Sequence, residues 1–208
     1  FAELYGVSRP KEMTDEVIGV LDLAERADDY VKTYSGGMRR RLELAQALVH
    51  DPQVLFLDEP TVGLDVAARR KIWDHIRSLK KKGMTVFVTT HYMDEADRNC
   101  DRIAFIDKGR VRKCDTPASL KTIISGDIIV ATIKGNFSFS NIPDIRFIGQ
   151  QEDEITFLAH DGQRASELIH REVLSQGLTL HSLYVRKPTL DDVFLHLVDD
   201  NEDTRPMN

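Results

Sequence analysis

The chain has 208 residues, 41% of them apolar and 30% charged, which suffices for one large or two small soluble domains with hydrophobic cores. The apolar runs are far shorter than the roughly 20 residues that span a bilayer, and a formal net charge of -6 argues against general affinity for nucleic acid or anionic lipid. Two cysteines without ligand-like spacing, Cys100 and Cys114, exclude a disulfide framework and predict a reduced cytosolic location.

Up to about residue 124, amphipathic stretches alternate with short apolar runs, which is typical of helices interleaved with buried parallel strands. We predict helices over 11–23, 36–49, 67–82 and 93–100, and strands over 54–58, 85–89, 102–106 and 110–114. Lys108-Gly109 predicts a tight turn between the last two strands. This region is expected to be the back half of an α/β sheet, and we assign residues 1–124 to it.

After Ser125-Gly126 the pattern changes to alternating strands, which predicts a small α+β domain over 125–199. Its expected elements are strands over 128–133, 145–149 and 155–158, a helix over 164–175, a strand over 178–185 and a helix over 190–198. This order fits a βαββαβ-like domain in which residues 137–144 replace or shorten the first helix. Residues 200–208 are expected to form a disordered tail.

The sequence Ser35-Gly36-Gly37-Met38 opens a predicted helix. Ser35 is well placed as an N-cap, and the two glycines let backbone approach a ligand closely. Free N–H groups at a helix N-terminus can bind an anion such as a terminal phosphate. An ordinary loop before a helix is the alternative, but an apolar run ending in Asp-Glu-Pro about twenty residues later favours the anion site.

Three further groups follow at or near the ends of predicted strands. Asp58 and Glu59 end an apolar run, at the edge where parallel sheets present ligand-contacting groups, although adjacent acids can simply cap the next helix. Gly63-Leu64-Asp65 is a weak motif, since Asp65 can cap the following helix. His91 ends the second strand, where a lone histidine is more often a surface or capping residue. The basic run Arg39-Arg40-Arg41 predicts a solvated helix face.

Four of these sequence elements, in the order in which they occur, resemble the second half of the nucleotide-binding domain of an ATP-binding cassette (ABC) protein. They are Ser35-Gly36-Gly37-Met38, Leu55-Phe56-Leu57-Asp58-Glu59-Pro60, Gly63-Leu64-Asp65 and Thr89-Thr90-His91. No G-x-x-x-x-G-K-[ST] phosphate loop occurs in the sequence. The resemblance therefore implies the C-terminal half of a P-loop-type ABC ATPase domain, which we expect to be inactive alone.

The resemblance implies a role for each element. Ser35, Gly36, Gly37 and Met38 match the signature, which contacts a nucleotide held by the opposite subunit, although Tyr34 and Met38 depart from its commonest form. Asp58 resembles the Walker B aspartate, which holds Mg²⁺, and Glu59 the general base or water-orienting group. Gly63, Leu64 and Asp65 resemble the D-loop along a dimer interface, and His91 the switch histidine that contacts the γ-phosphate.

Within that family, the chain looks like the ATPases of ABC-2 exporters of the daunorubicin-resistance type. The resemblance is carried by residues 89–96, by Lys108-Gly109 with Thr116-Pro117, and by Pro-Thr-Leu-Asp-Asp-Val-Phe at 188–194. It implies ATP and Mg²⁺ as cofactors, a second ATPase subunit in a homodimer, and a separate integral membrane permease. It also implies a cytoplasmic location, peripheral on the inner face of the cell membrane, and no nucleic-acid partner.

Two other functions stay open. One is a non-transport ABC ATPase. A member that acts in DNA maintenance would show long heptad stretches, and a translation factor would carry two cassettes joined by a charged linker; neither feature is visible in these residues. A natural regulatory fragment is the third possibility. In the second domain no chemistry is expected, and the last helix carries an apolar face of Leu190, Val193, Phe194 and Leu197. That face either contacts the dimer or permease or is used inside its own domain.

Overall fold

A computed structural model describes residues 1–140 and 142–199 of the chain. The chain divides into two compact units, Phe1–Glu95 and Ala96–Asn208. The domain boundary at residue 124 stays a prediction, and the predicted tail, 200–208, lies outside the described residues. None of the helices in the described ranges is long and apolar enough to cross a membrane.

The first unit contains three helices and two parallel strands. The elements are α1 (Pro10–Val20), α2 (Gly36–Leu48), β1 (Val54–Asp58), α3 (Val66–Lys81) and β2 (Thr85–Thr89), and α4 (Met93–Asn99) begins near its end. Two short 3-10 turns, Ala24–Arg26 and Val31–Thr33, separate α1 from α2. The predicted helix and strand positions agree with these bounds, apart from shifts of a few residues at helix ends.

One face of the β1–β2 pair carries the core of this unit. Leu55 is buried there, in a cluster with Leu21, Leu23, Leu44 and Leu79. On the opposite face the rings of Phe56 and Phe87 stack at 5.1 Å and stay exposed, by 74% and 58% respectively. The prediction that both strands are buried is therefore wrong for this face, because side chains alternate across a strand and here only one side is covered.

The second unit begins with a hairpin and continues into a four-stranded antiparallel sheet. The hairpin joins β3 (Ile103–Asp107) to β4 (Arg110–Asp115) through Lys108 and Gly109, both at positive φ, as a type I′ turn requires. After α5 (Pro117–Lys121) come β5 (Asp127–Lys134), β6 (Ile145–Gln151), β7 (Glu154–Ala159), α6 (Gly162–Ser175), β8 (Thr179–Arg186) and α7 (Leu190–Asp199). The turn at Lys108-Gly109 is confirmed.

The sheet order is β6-β7-β5-β8, with every neighbouring pair antiparallel. Helix α6 buries Ile169 and Val173 in a cluster with Ile129 and Phe157 of the sheet. This is the strand and helix order predicted from the sequence, and between β5 and β6 the described residues 135–140 and 142–144 form no helix. The α+β character of this region follows from that arrangement.

The last helix is fastened by a reciprocal cap. The backbone N–H of Thr189 donates to Asp192 Oδ2 at 2.7 Å, and the N–H of Asp192 reaches Thr189 Oγ1 at 3.4 Å. Leu190 and Val193 are 1% and 0% exposed, and the ring of Phe194 lies 5.7 Å from that of Phe105 in the same unit. Leu190 and Val193 therefore pack inside their own unit and cannot contact another subunit, whereas docking through the partly buried Phe194 and Leu197 stays a prediction.

Candidate functional site

The turn predicted to be the signature, residues 35–38 (the signature turn), forms the N-terminus of α2, as the sequence predicts. Ser35 Oγ accepts a hydrogen bond from the N–H of Met38 at 3.2 Å. A Cβ atom added at Gly37 would lie 3.0 Å from the Cβ of Ala68 in α3, so a side chain there would press against that helix. Glycine therefore allows the start of α2 to approach α3 while its first N–H groups stay unbonded within the helix.

The predicted D-loop, residues 63–65, leads directly into α3. Gly63 has a φ of 74°, in the left-handed region that glycine adopts without steric cost. Asp65 Oδ1 accepts from the N–H of Ala68 at 2.8 Å and so caps α3. The capping role of Asp65 is thus present in the structure, and a second role at an interface is compatible with it.

Together, the signature turn and the D-loop line a cleft of about 300 Å³. Two basic residues, Arg41 and Lys71, also line it. Helix N-termini and cationic side chains both favour negative charge, so this cleft has the chemistry of an anion site. The remaining lining consists of Ala67 and Ala68 of α3 and of six residues singled out by sequence, namely Ser35, Gly36, Gly37, Gly63, Leu64 and Asp65.

A second group of predicted residues meets at the carboxyl ends of β1 and β2. Asp58 and Thr89 are direct partners in the parallel register. The hydroxyl of Thr89 donates to Asp58 Oδ1, and the N–H of Glu59 donates to the carbonyl oxygen of Thr89 at 3.1 Å. These hydrogen bonds connect the ends of β1 and β2. They do not involve Asp58 Oδ2, which can therefore contact a ligand.

Glu59 turns sharply away from the strand. Its φ of 46° is unusual for a residue with a side chain, and such backbone strain is concentrated at functional sites. The carboxylate faces His91, whose Nδ1 lies 3.1 Å from both oxygens. This contact occupies Nδ1 and leaves Nε2 for another partner. Only Oε1 of Glu59 forms a hydrogen bond with Nδ1; Oε2 lies at the same distance but is buried and forms no hydrogen bond within residues 1–140 and 142–199.

The basic run at 39–41 is not simply a solvated face. Arg40 donates from Nη2 to the carbonyl of Asp58 at 2.6 Å and from Nε to that of Pro60 at 3.0 Å. Arg41 donates from Nη1 to the carbonyls of Leu21 and Asp22, both at 2.9 Å. The expectation is wrong for both residues, because long basic side chains reach main-chain acceptors that no sequence motif marks.

Sequence reasoning also missed a buried carboxylate, Glu95, in the first turn of α4. It is 7% exposed and accepts hydrogen bonds from Thr61 Oγ1 at 2.6 Å and from Trp73 Nε1 at 2.9 Å. Burying a charge is costly unless it is paired or hydrogen-bonded, so these donors are needed for the fold. A glutamate followed by an alanine just after His91 carries no signal of burial in the sequence.

Two family profiles match the chain. One, described as ABC transporter, matches residues 8–62, and the other, the C-terminal domain of ATP-binding proteins like DrrA1-3, matches residues 116–198. The first range contains the signature turn, Asp58 and Glu59, whereas the D-loop and His91 lie outside both ranges.

Named relatives and a solved structure are similar to the chain. It is 39% identical over 202 residues to the daunorubicin resistance ATP-binding protein DrrA3 of Streptomyces coeruleorubidus, covering 94% of this chain and 64% of that protein. It is 33% identical over 207 residues to the linearmycin resistance ATP-binding protein LnrL of Bacillus subtilis (strain 168), covering 95% and 67%. The cbiO1 structure of Clostridium perfringens, part of the ABC transporter complex cbiONQ, matches at 28% identity and a TM-score of 0.51, covering 54% of this chain and 45% of that one. This likeness confirms the predicted fold class.

Proposed function

This chain belongs to the ABC transporter family of ATP-binding proteins, in the group with a DrrA1-3-like C-terminal domain, and we propose that it is part of the ATPase subunit of an ABC-2-type exporter. Relatives named for resistance to daunorubicin and linearmycin support an export function. The subunit would lie in the cytoplasm, on the inner face of the membrane, bound to a separate permease that selects the substrate. The net charge of -6 supports the absence of a nucleic-acid partner.

One observation carries the proposed chemistry: Glu59 and His91 face each other at 3.1 Å beside Asp58. The Glu59 carboxylate can orient a water molecule and accept its proton as the water oxygen attacks the γ-phosphorus of ATP. An O–P bond then forms, the bond from the γ-phosphorus to the bridging oxygen breaks, and ADP leaves. His91 faces Glu59 through Nδ1, and its second ring nitrogen, Nε2, can contact a γ-phosphate oxygen, so one imidazole can hold both groups.

Asp58 fits the magnesium ion that accompanies ATP. Mg²⁺ takes oxygen ligands and usually keeps several waters, so one protein carboxylate beside phosphate oxygens is sufficient. Within residues 1–140 and 142–199, no three His, Cys, Asp or Glu side chains are placed to form a metal cage. The ion would supply charge neutralisation at the phosphates.

We further propose that the site is completed in a homodimer. The cleft between the signature turn and the D-loop, with Arg41 and Lys71 in its lining, suits a phosphate presented by the second subunit. None of the 208 residues forms a G-x-x-x-x-G-K-[ST] loop, so the phosphate loop would come from a part of the protein beyond these residues. The chain by itself is therefore proposed to be inactive.

The proposal is tested with Glu59→Gln in the full-length protein that contains these residues. The amide keeps the size of the side chain but accepts no proton at neutral pH, so ATP hydrolysis should slow by at least about a hundredfold while ATP binding persists. The matched control is Glu167→Gln on the exposed side of α6, which should leave turnover unchanged. An E59Q protein with normal turnover would remove Glu59 from this role.

A further inference from the structure

A continuous set of contacts in the first unit joins the D-loop to the residue that follows His91. Arg69, in the first turn of α3, donates from Nε to the carbonyl oxygen of Leu64 at 3.2 Å. Its guanidinium carbon also lies 4.0 Å from the centroid of the Tyr92 ring. One side chain thus touches both the D-loop and the segment that carries the proposed switch histidine.

The same segment contacts the catalytic pair. The ring of Tyr92 lies 4.1 Å from the imidazole of His91. Since the imidazole also faces Glu59 at 3.1 Å, any displacement of Tyr92 changes the surroundings of His91 directly. The path from Leu64 to His91 therefore passes through only two side chains, those of Arg69 and Tyr92.

Glu95 holds Arg69 in this place. Its Oε1 lies 3.7 Å from Arg69 Nη1, while Oε2 is occupied by Thr61 and Trp73. Thr61 is fully buried and Trp73 nearly so, which fixes the carboxylate on the protein side of the guanidinium. A guanidinium can lie flat on a ring while its edge donates hydrogen bonds, and an ammonium group cannot do both.

We propose that Arg69 is a positioning residue for His91, anchored by Glu95, and that it couples the D-loop to the switch histidine within one subunit. This inference rests on the proposed ATPase function. In a dimer whose D-loop lies at the interface, a shift of the Leu64 carbonyl would move Arg69 and hence Tyr92 and His91. The rate of ATP hydrolysis in one subunit would then depend on the position of its D-loop at the dimer interface.

The test compares Arg69→Gln and Arg69→Lys with wild type in the full-length ATPase, by steady-state kinetics. Both variants should lower kcat at least about tenfold, with the KM for ATP changed less than about twofold, because positioning of the reacting groups is lost and binding is kept. Arg112→Gln is the matched control, since Arg112 forms a half-buried ion pair with Asp107 in the second unit. It should leave kcat unchanged.

The double variant Arg69→Gln with His91→Ala separates positioning from general damage. If Arg69 acts through His91, its replacement should lower kcat by less than about twofold once His91 is absent, because coupled residues are not additive. Tyr92→Leu removes only the half-buried ring and should reproduce the loss of kcat even if the Arg69 variants fold poorly, as judged by circular dichroism.

Two failures are distinguishable. A wild-type protein without ATPase activity would overturn the proposed function and this inference with it. If the wild type is active, two results would overturn the inference alone. One is a normal kcat in Tyr92→Leu and in the Arg69 variants. The other is an Arg69→Gln substitution that lowers kcat by the same factor in the His91→Ala background as in wild type.

Discussion

Glu59 and His91 come from loops that follow different strands, yet Nδ1 of His91 lies 3.1 Å from the Glu59 carboxylate. The contact exists because Asp58 and Thr89 end their strands in direct register, so the residues that follow are carried to one edge of the sheet. The left-handed backbone at Glu59 then turns its side chain towards the imidazole. The parallel register of β1 and β2 therefore brings Glu59 and His91 together, and the sequence motifs alone do not determine this contact.

This pair predicts the effect of His91→Ala in the full-length protein. Loss of the imidazole removes the partner that holds Glu59 and the proposed γ-phosphate contact, so kcat should fall by about a hundredfold with ATP binding kept. Phosphate release and binding of a non-hydrolysable ATP analogue are the measurements. His170→Ala, on the exposed face of α6, is the control and should behave as wild type. Equal turnover in the two variants would contradict the role of His91.

The 208-residue chain itself should not bind ATP appreciably. It has no G-x-x-x-x-G-K-[ST] loop, and that loop supplies most phosphate contacts in such sites. Isothermal titration with Mg-ATP should therefore give no saturable heat at low micromolar nucleotide. A clear saturable signal in that range would mean that residues within this chain bind ATP without the loop.

Stability of the chain should depend on pH through His75 of α3. Burial lowers the pKa of His75 below its ordinary value of 6.5, and this outweighs the carboxylate of Asp22, which lies 3.9 Å from Nε2 and raises it. Below pH 6.5 the unfolded chain binds the proton more readily than the folded one, so stability is fully present above pH 6.5 and is lost as pH falls.

Urea unfolding at pH 7.5 and at pH 5.5 measures this dependence. The slope contributed by one histidine is at most about 1.4 kcal/mol per pH unit. His75→Leu removes the titrating group, so the variant should lose less stability than wild type between the two values. An identical pH dependence in both proteins would show that His75 is not the cause.

Gly126, at the start of the sheet of the second unit, should tolerate no side chain. Its φ is 127°, and an added Cβ would lie 2.5 Å from the carbonyl oxygen of Ala159. Gly126→Ala should therefore lower the free energy of unfolding by about 2 kcal/mol or more, since the strain and the clash add. The matched control is Gly149→Ala, where no atom lies within 4 Å of the added Cβ. Equal urea midpoints for the two variants would contradict this reading.

The sequence by itself determined the local features of this protein. The N-cap at Ser35, the turn at Lys108-Gly109 and the reciprocal cap of Thr189 and Asp192 follow from residues one to three positions apart. Each of these depends on residue types that the backbone geometry demands, so a short pattern is enough to predict it. The order of strands and helices in the second unit was predictable from periodicity for the same reason.

Only the tertiary structure decided which distant groups meet. Arg40 donates hydrogen bonds to the backbone carbonyls of Asp58 and Pro60. Because every residue has a backbone carbonyl, the sequence does not indicate which one accepts. The burial of Glu95 depends on Thr61 and Trp73, which lie 34 and 22 residues away in the chain. Likewise, an apolar strand pattern does not say whether one face or both are covered, because alternation places side chains on both faces and packing partners decide their burial.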